Sequence, residues 1–238
     1  MASLTDGEPV PRAVTTVCRQ TIVGRGPLIM LPRAIERPPI DFFDVLDARR
    51  STTGATLPTK QLSSLLWHSM RLRYRRAGRF GIGRESRSAP SAGGLHPVRL
   101  LVLPVDHADG GIYDDHRHAL VPIDAAALAL NRASVGEILG VARGTTIQLV
   151  ADPALVGACY ENPESLIWRD AGALIATVCL VATALGQTAT PVGRVGSAIV
   201  NAAGLSEVFI GTGAVHIGTP LTGPGIDYLK DAGAGECA

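Results

Sequence analysis

Apolar positions along the chain change period several times, and each change marks an element. Phe42, Val45 and Leu46 fall on one helical face behind Asp41, whose side chain can cap the first turn, with Ile40 and Val45 spaced as a hydrophobic staple. Arg49 continues that same stripe. Leu62, Leu65, Leu66 and Ser69 repeat at helical spacing and predict a helix over 59–75. Branched apolar runs at 98–105 and 145–150 read as buried strands, and Gly110-Gly111 opens another at Ile112. Asp124 caps a predicted helix reaching Leu139, and Asp152-Pro153 opens the next. A long helix follows over 166–185, rich in alanine and glycine, then a helix from Ser197 and a last strand over 208–217 broken by Gly211 and Gly213. Helices and strands are mixed without strict alternation, which predicts an α+β fold.

The ends differ from this body. Residues 1–40 carry Pro9, Pro11, Pro27, Pro32, Pro38 and Pro39 with little periodicity, so they read as an extended arm with a short strand at 20–23. The body spans 41–222, and residues 223–238 read as a flexible tail.

Composition narrows the function classes. With 46% apolar residues in 238, the chain can bury a sizeable core. A net charge of +1 gives no overall pull toward nucleic acid or a membrane. Cys18, Cys159, Cys179 and Cys237 have neither metal-ligand spacing nor disulfide density, so a reducing cytoplasm is expected. The first residues lack the basic start and apolar run of an export signal. The apolar run 171–185 falls short of the roughly 20 residues that span a bilayer.

Three stretches carry candidate chemistry. R-S-A-P-S-A-G-G-L-H-P, residues 87–97, has small side chains behind Pro90 and suits either a surface loop or a platform against which a flat ligand lies. Arg49 and Arg50 end the first helix, where a guanidinium on the apolar stripe calls for an anion such as phosphate, or complements the helix dipole. Between 71 and 87 stand Arg71, Arg73, Arg75, Arg76, Arg79, Arg84 and Arg87 against one acid, Glu85, with Tyr74 and Phe80 between them. That run reads as a solvated loop or a landing site for an anionic substrate; the balanced total charge disfavours RNA. Gly78, Gly81 and Gly83 make no dinucleotide fingerprint. His116 and His118 in D-D-H-R-H read as a solvated hairpin turn, and no metal site is expected.

P-S-A-G-G-L-H-P resembles the P-S-A-G-A-L-Y-P motif of the SagB-type dehydrogenases, flavin-dependent members of the nitroreductase superfamily that include azoline oxidases. L-P-R-A-I-E-R-P-P-I-D-F-F-D-V-L-D-A-R-R-S, L-S-S-L-L-W, I-Y-D-D-H-R-H-A-L-V-P, R-D-A-G-A-L and H-I-G-T-P are similar to further family motifs in the same order, so the resemblance covers 31–220. It implies a nitroreductase-like fold, a central mixed sheet flanked by helices, and a homodimer with FMN at the interface. By the same resemblance Arg49 and Ser51, with Arg50 beside them, hold the phosphate end; Pro90, Ser91, Ala92 and Gly93 line the ring; and Gly193, after Pro191, brings a backbone N–H to it. Arg87 matches the family's arginine before the motif, while Thr219 stands where many relatives carry an arginine.

Two departures bear on the chemistry. His96 replaces the family's tyrosine, and Cys159-Tyr160 replaces the Lys-Tyr pair that serves as base and relay in azoline oxidases. Tyr160 is therefore expected to relay the proton, His96 to be the base, and Cys159 to pack. The implied activity is FMN-dependent oxidation of a peptide or natural-product intermediate, beside biosynthetic partner enzymes. The alternatives are an NAD(P)H-dependent nitro or quinone reductase and a non-catalytic scaffold subunit.

Overall fold

A computed structural model of the chain describes residues 7–13, 19, 22, 24–78 and 83–221. In chain order its elements are β1 (Val10–Pro11), β2 (Ile29–Met30), α1 (Phe42–Ala48), α2 (Thr59–Met70), β3 (Tyr74–Arg76), β4 (Arg84–Ser86), a 3-10 turn at Ala92–Gly94, β5 (Val98–Pro104), β6 (Gly111–Asp114), β7 (Ala119–Pro122), α3 (Ala125–Leu139), β8 (Thr145–Ala151), α4 (Pro153–Cys159), β9 (Tyr160–Glu161), α5 (Glu164–Ala184), β10 (Thr188–Val192), α6 (Ser197–Ala202) and β11 (Ile210–Gly218). Seven strands form the central sheet in the order β10-β11-β8-β5-β6-β7-β2. Its ladders are antiparallel, and the parallel pairing is an isolated bridge between Ser51 and Ala189.

Both faces of the sheet are covered, which is why β5 and β8 read as continuous apolar runs. Neighbouring residues of a strand point to opposite faces. Leu100 and Leu149 accordingly join a core with Leu65, Leu66 and Val178 from α2 and α5, while Leu101 and Val150 join a second core with Val200 and Phe209. The α+β architecture is as the periodicity predicts. Asp124 accepts from the Ala126 N–H at 3.0 Å and Gly140, at φ +66°, closes α3 in the left-handed conformation.

Several expectations are corrected. α2 stops at Met70 rather than 75, because the Met70 carbonyl accepts from Arg87 and Arg73 already pairs its N–H with Ser86 O at 2.8 Å. On α1 only Val45 is buried; Ile40, Phe42, Phe43 and Leu46 are 44%, 58%, 70% and 42% exposed, so the expected stripe and staple do not face the core. α5, at 21 residues and mean hydropathy 1.5, is long and apolar enough to cross a membrane, unlike the shorter run read from the sequence; here it packs on α2, β10 and β11. His116 is exposed, but His118 is buried, with Tyr113 Oη and Ser63 Oγ each 2.7 Å from its ring nitrogens. Residues 222–238, and 20, 21 and 23 of the expected arm strand, lie outside the described residues. The described parts of the arm lie on their own chain: β1 pairs with β9 and β2 with β7.

Candidate functional site

β10 is the outermost strand of its side of the sheet, so one edge has no ladder partner. The segment after α1 runs along it. Ser51 bridges Ala189, the Thr52 N–H reaches Ala189 O at 3.4 Å, and the Ala55 N–H reaches Thr219 O at 2.8 Å. Gly54 permits this approach: a Cβ there would come within 2.1 Å of Thr219 O. Thr219, in place of the family's arginine, donates its hydroxyl to Thr56 O at 3.0 Å.

α1 delivers two arginines to this edge with different fates. Arg50 donates to Asp47 O at 2.5 Å and Arg49 O at 3.0 Å, closing the helix end as a capping residue does. The half-buried side chain of Arg49 has no hydrogen bond or ion pair among the described residues. It lies near Cys179 on α5, whose thiol burial pushes up and the Arg49 charge pulls partly back. Farther along, Thr188 Oγ1 and Thr190 Oγ1 are buried without partners. Gly193 follows β10 into open space, with nothing within 4 Å of a Cβ. From Ala189 to Gly193 a strand advances about 13 Å. An unpaired guanidinium, two orphaned hydroxyls and an uncovered backbone turn along one edge strand fit a phosphorylated planar cofactor.

The platform of residues 87–97 is a second assembly. Gly93 and Gly94 adopt φ of +62° and +67°, and a Cβ on Gly94 would press on Arg84 Cβ and Glu85 O, both at 3.3 Å. Asp170 holds the turn: Ser91 Oγ donates to its Oδ2 and the Ala92 N–H to its Oδ1 at 3.0 Å. Burial raises the Asp170 carboxyl, and those two bonds partly offset the rise. Sequence reasoning assigned Asp170 no role; an acid set in the apolar stretch of a helix, past the first turn, was the available signal. Ser91, Gly93, Gly94 and His96 face a cavity of about 490 Å³ whose opposite wall is Tyr74, Arg76 and Arg84 of the β3–β4 hairpin.

The arginine run is not simply solvated. Glu85, 6% exposed, takes Arg87 at 2.7 Å, Arg75 at 2.8 Å and Arg19 at 3.3 Å. Arg87 also pairs with Asp115 at 2.6 Å. Burial alone would raise the Glu85 carboxyl, but Arg87 and Arg19 hold it below the usual range. Arg87 is thus consumed in the scaffold that carries the platform.

The expected base is corrected by its surroundings. Glu85 O lies 2.9 Å from His96 Nε2 and can only accept, so Nε2 carries the proton. Burial, reinforced by the positive charges of Arg87 and Arg19, pushes His96 down to about 4. At neutral pH it is an uncharged wall and a weak base. Cys159 is fully buried and its thiol is pushed up by that burial, so it packs. Tyr160 caps α4 through its backbone, and its side chain packs against the cluster of Leu95 and Cys159.

These groups form two sets. His96 and Pro90, Ser91, Gly93 and Gly94 line one cavity, with Tyr160 packed on the Leu95 and Cys159 cluster next in sequence to His96, and Arg49, Ser51 and Gly193 line the β10 edge. Their anchors on α5, Asp170 and Cys179, are about 13–14 Å apart along the helix axis.

The fold has relatives among solved structures. A candidate nitroreductase from Ralstonia eutropha JMP134 aligns with a TM-score of 0.63 and 24% identity, over 90% of this chain and 100% of that one. A chain of the E. coli microcin synthetase McbBCD complex with truncated pro-MccB17 bound aligns at 0.55 and 14% identity, over 82% and 78%. A candidate NAD(P)H:FMN oxidoreductase from Staphylococcus epidermidis ATCC 12228 aligns at 0.51 and 13%, over 86% and 99%. No curated protein matches the sequence. The model of the nitroreductase family matches residues 48–218, most of the chain, and the protein belongs to that family.

Proposed function

We propose that the protein is an FMN-dependent oxidoreductase that works as a homodimer, and the observation that carries this reading is the unpaired Arg49 at the free edge of β10. Arg49 and Ser51 bind the phosphate, Arg50 fixes the helix end behind them, and Gly193 offers its N–H to the ring. Pro90, Ser91, Ala92 and Gly93 of a second copy pack on the ring, which explains why the two sets stand apart within one chain. Exposed Ile40, Phe42, Phe43 and Leu46 on α1 and Trp168 on α5 support such an interface. So do Gly172 and Ala176, exposed small residues that permit close approach to α5. When bound, FMN supplies the hydride chemistry, and the protein positions substrate and moves the proton.

The finer reading is a SagB-type dehydrogenase of the cytoplasm, oxidising a peptide or other natural-product intermediate beside partner enzymes, with Tyr160 as the proton relay. The ordered motifs support it, as does the likeness to a chain of the microcin synthetase complex. A second reading, an NAD(P)H-dependent nitro or quinone reductase, is favoured by the state of His96 and Cys159, which leaves neither as a base for taking a proton from carbon. Purified protein should carry the absorbance of bound FMN; a colourless protein that FMN does not reconstitute would instead be a scaffold. Rapid bleaching of the flavin by NAD(P)H would select the reductase. Ala176→Trp should overpack the dimer seam and release subunits and flavin together, and a wild type that sediments as a monomer would refute the dimer.

A further inference from the structure

A second cavity, of about 310 Å³, opens between the ends of α2 and α5 on the far side of α5 from Arg49. Val181, Ala184 and Leu185 form its floor, and they lie about 140–240° around the helix from Cys179. Arg37, from the segment before α1, and Arg71 and Arg73, from the chain leaving α2, line the same cavity, Arg37 and Arg73 exposed and Arg71 half-buried. Among the described residues none of these three side chains makes a hydrogen bond or ion pair. Arg50, Arg33 and Arg132, by contrast, each find a carbonyl, of Asp47, Arg117 and Val105. The nearest acid in sequence, Glu36, pairs with Lys60 at 3.0 Å. Arg71 stands at the end of α2, yet its guanidinium caps none of the carbonyls there; only its backbone N–H is engaged, with Trp67 O.

Three arginines without an acid or carbonyl partner among the described residues, from two segments, line one cavity, and an anion there would be met by all three charges. An inorganic ion would leave the apolar floor uncovered. We infer that this cavity binds a small organic dianion with an apolar body, of the phosphate monoester class, its charged head held by Arg37, Arg71 and Arg73 and its body resting on Val181, Ala184 and Leu185. The volume is at the small end of those that hold organic ligands, which suits a body about the size of one aromatic ring. The inference does not depend on the flavin reading, since its residues are different ones.

Phenyl phosphate is a suitable probe, titrated calorimetrically into the full chain at low salt. It should bind with a Kd below millimolar, inorganic phosphate at least about tenfold more weakly, and phenol not at all. The double variant Arg71→Gln/Arg73→Gln should weaken binding by about tenfold or more, and Leu185→Ala should weaken phenyl phosphate while leaving inorganic phosphate unchanged. Arg49→Ala should have no effect on it. Arg37→Gln, in an exposed segment, serves as a single variant whose folding is not at issue, and it should weaken binding too. Absence of binding at millimolar phenyl phosphate, indifference to all three arginine changes, or loss of binding in Arg49→Ala would each overturn the proposal.

Discussion

Arg87, which shares a cavity with Asp170 of α5, and Arg49, which lies near Cys179 of the same helix, end in opposite circumstances. Arg87 is clamped by Glu85 and Asp115 and carries the platform, while Arg49 has no acid or carbonyl within reach among the described residues. A positive charge at least partly withdrawn from water is common to both, so that property alone does not identify a ligand site. What separates them is whether the fold itself supplies the anion. Where it does, the arginine contributes to stability; where it does not, the unpaired cation is available to something else.

The largest expected effect is on the clamped side. Glu85→Gln leaves Arg19, Arg75 and Arg87 around a neutral amide and should cost about 3–5 kcal/mol, read from the urea midpoint of the purified protein. A loss below about 1 kcal/mol would mean that water reaches the cluster and the contrast with Arg49 is weaker than drawn.

The same cluster sets a pH dependence. His96 has its folded pKa lowered to about 4 from 6.5, so between these values the unfolded chain binds more protons than the folded one. Stability should therefore rise with pH across that window, by up to about 3 kcal/mol, and fall as the solution is acidified through it. His96→Gln should flatten the profile between pH 4 and 6.5, as followed by thermal melts. An unchanged profile would assign the dependence to His118 and His216, whose burial shifts them the same way.

On the unpaired side the effect should fall on the ligand. Arg49→Ala should weaken FMN by at least about tenfold, or roughly 1.5–3 kcal/mol, with the stability of the flavin-free protein moving by less than about 0.5 kcal/mol. Fluorescence titration of apoprotein with FMN measures the first quantity and a urea titration the second. The smallest effect is the sharpest control: Arg50→Ala should cost about 0.5 kcal/mol of stability at the end of α1 and leave FMN affinity unchanged. Equal losses of FMN in the two variants would remove the distinction between them.

Much of the frame was legible in the sequence because its signals are local. Caps at Asp41, Asp124 and Asp152 and branched runs at β5 and β8 mark elements whose causes lie within a few residues. The β3–β4 hairpin was not legible, since Tyr74–Arg76 is exposed throughout and shows no alternation. Nor was the burial of Glu85, which is set by Arg19, 66 residues away in sequence, as much as by its neighbour Arg87. The α1 stripe misled for a related reason: the apolar period of a short helix does not say whether the face it marks meets the chain's own core, and here that face is exposed. At the site, motif order said which residues matter to a resemblance but not how far apart they sit, so the separation of the β10 edge from the platform within one chain was not legible.

The position of β11 has a consequence for synthesis of the chain. β11, residues 210–218, lies between β8 and β10, and the strand to which it delivers the longest register, β8, left the ribosome about sixty residues earlier. Until β11 emerges, β8 has one open flank and β10, with the Ser51 bridge upon it, has no sheet to join. The nascent chain must therefore hold an unfinished apolar sheet while α5 and α6 are made, and the sheet closes only around β11, the last strand among the described residues. Pausing of translation before residue 210 should prolong that exposed state and raise the demand for chaperones.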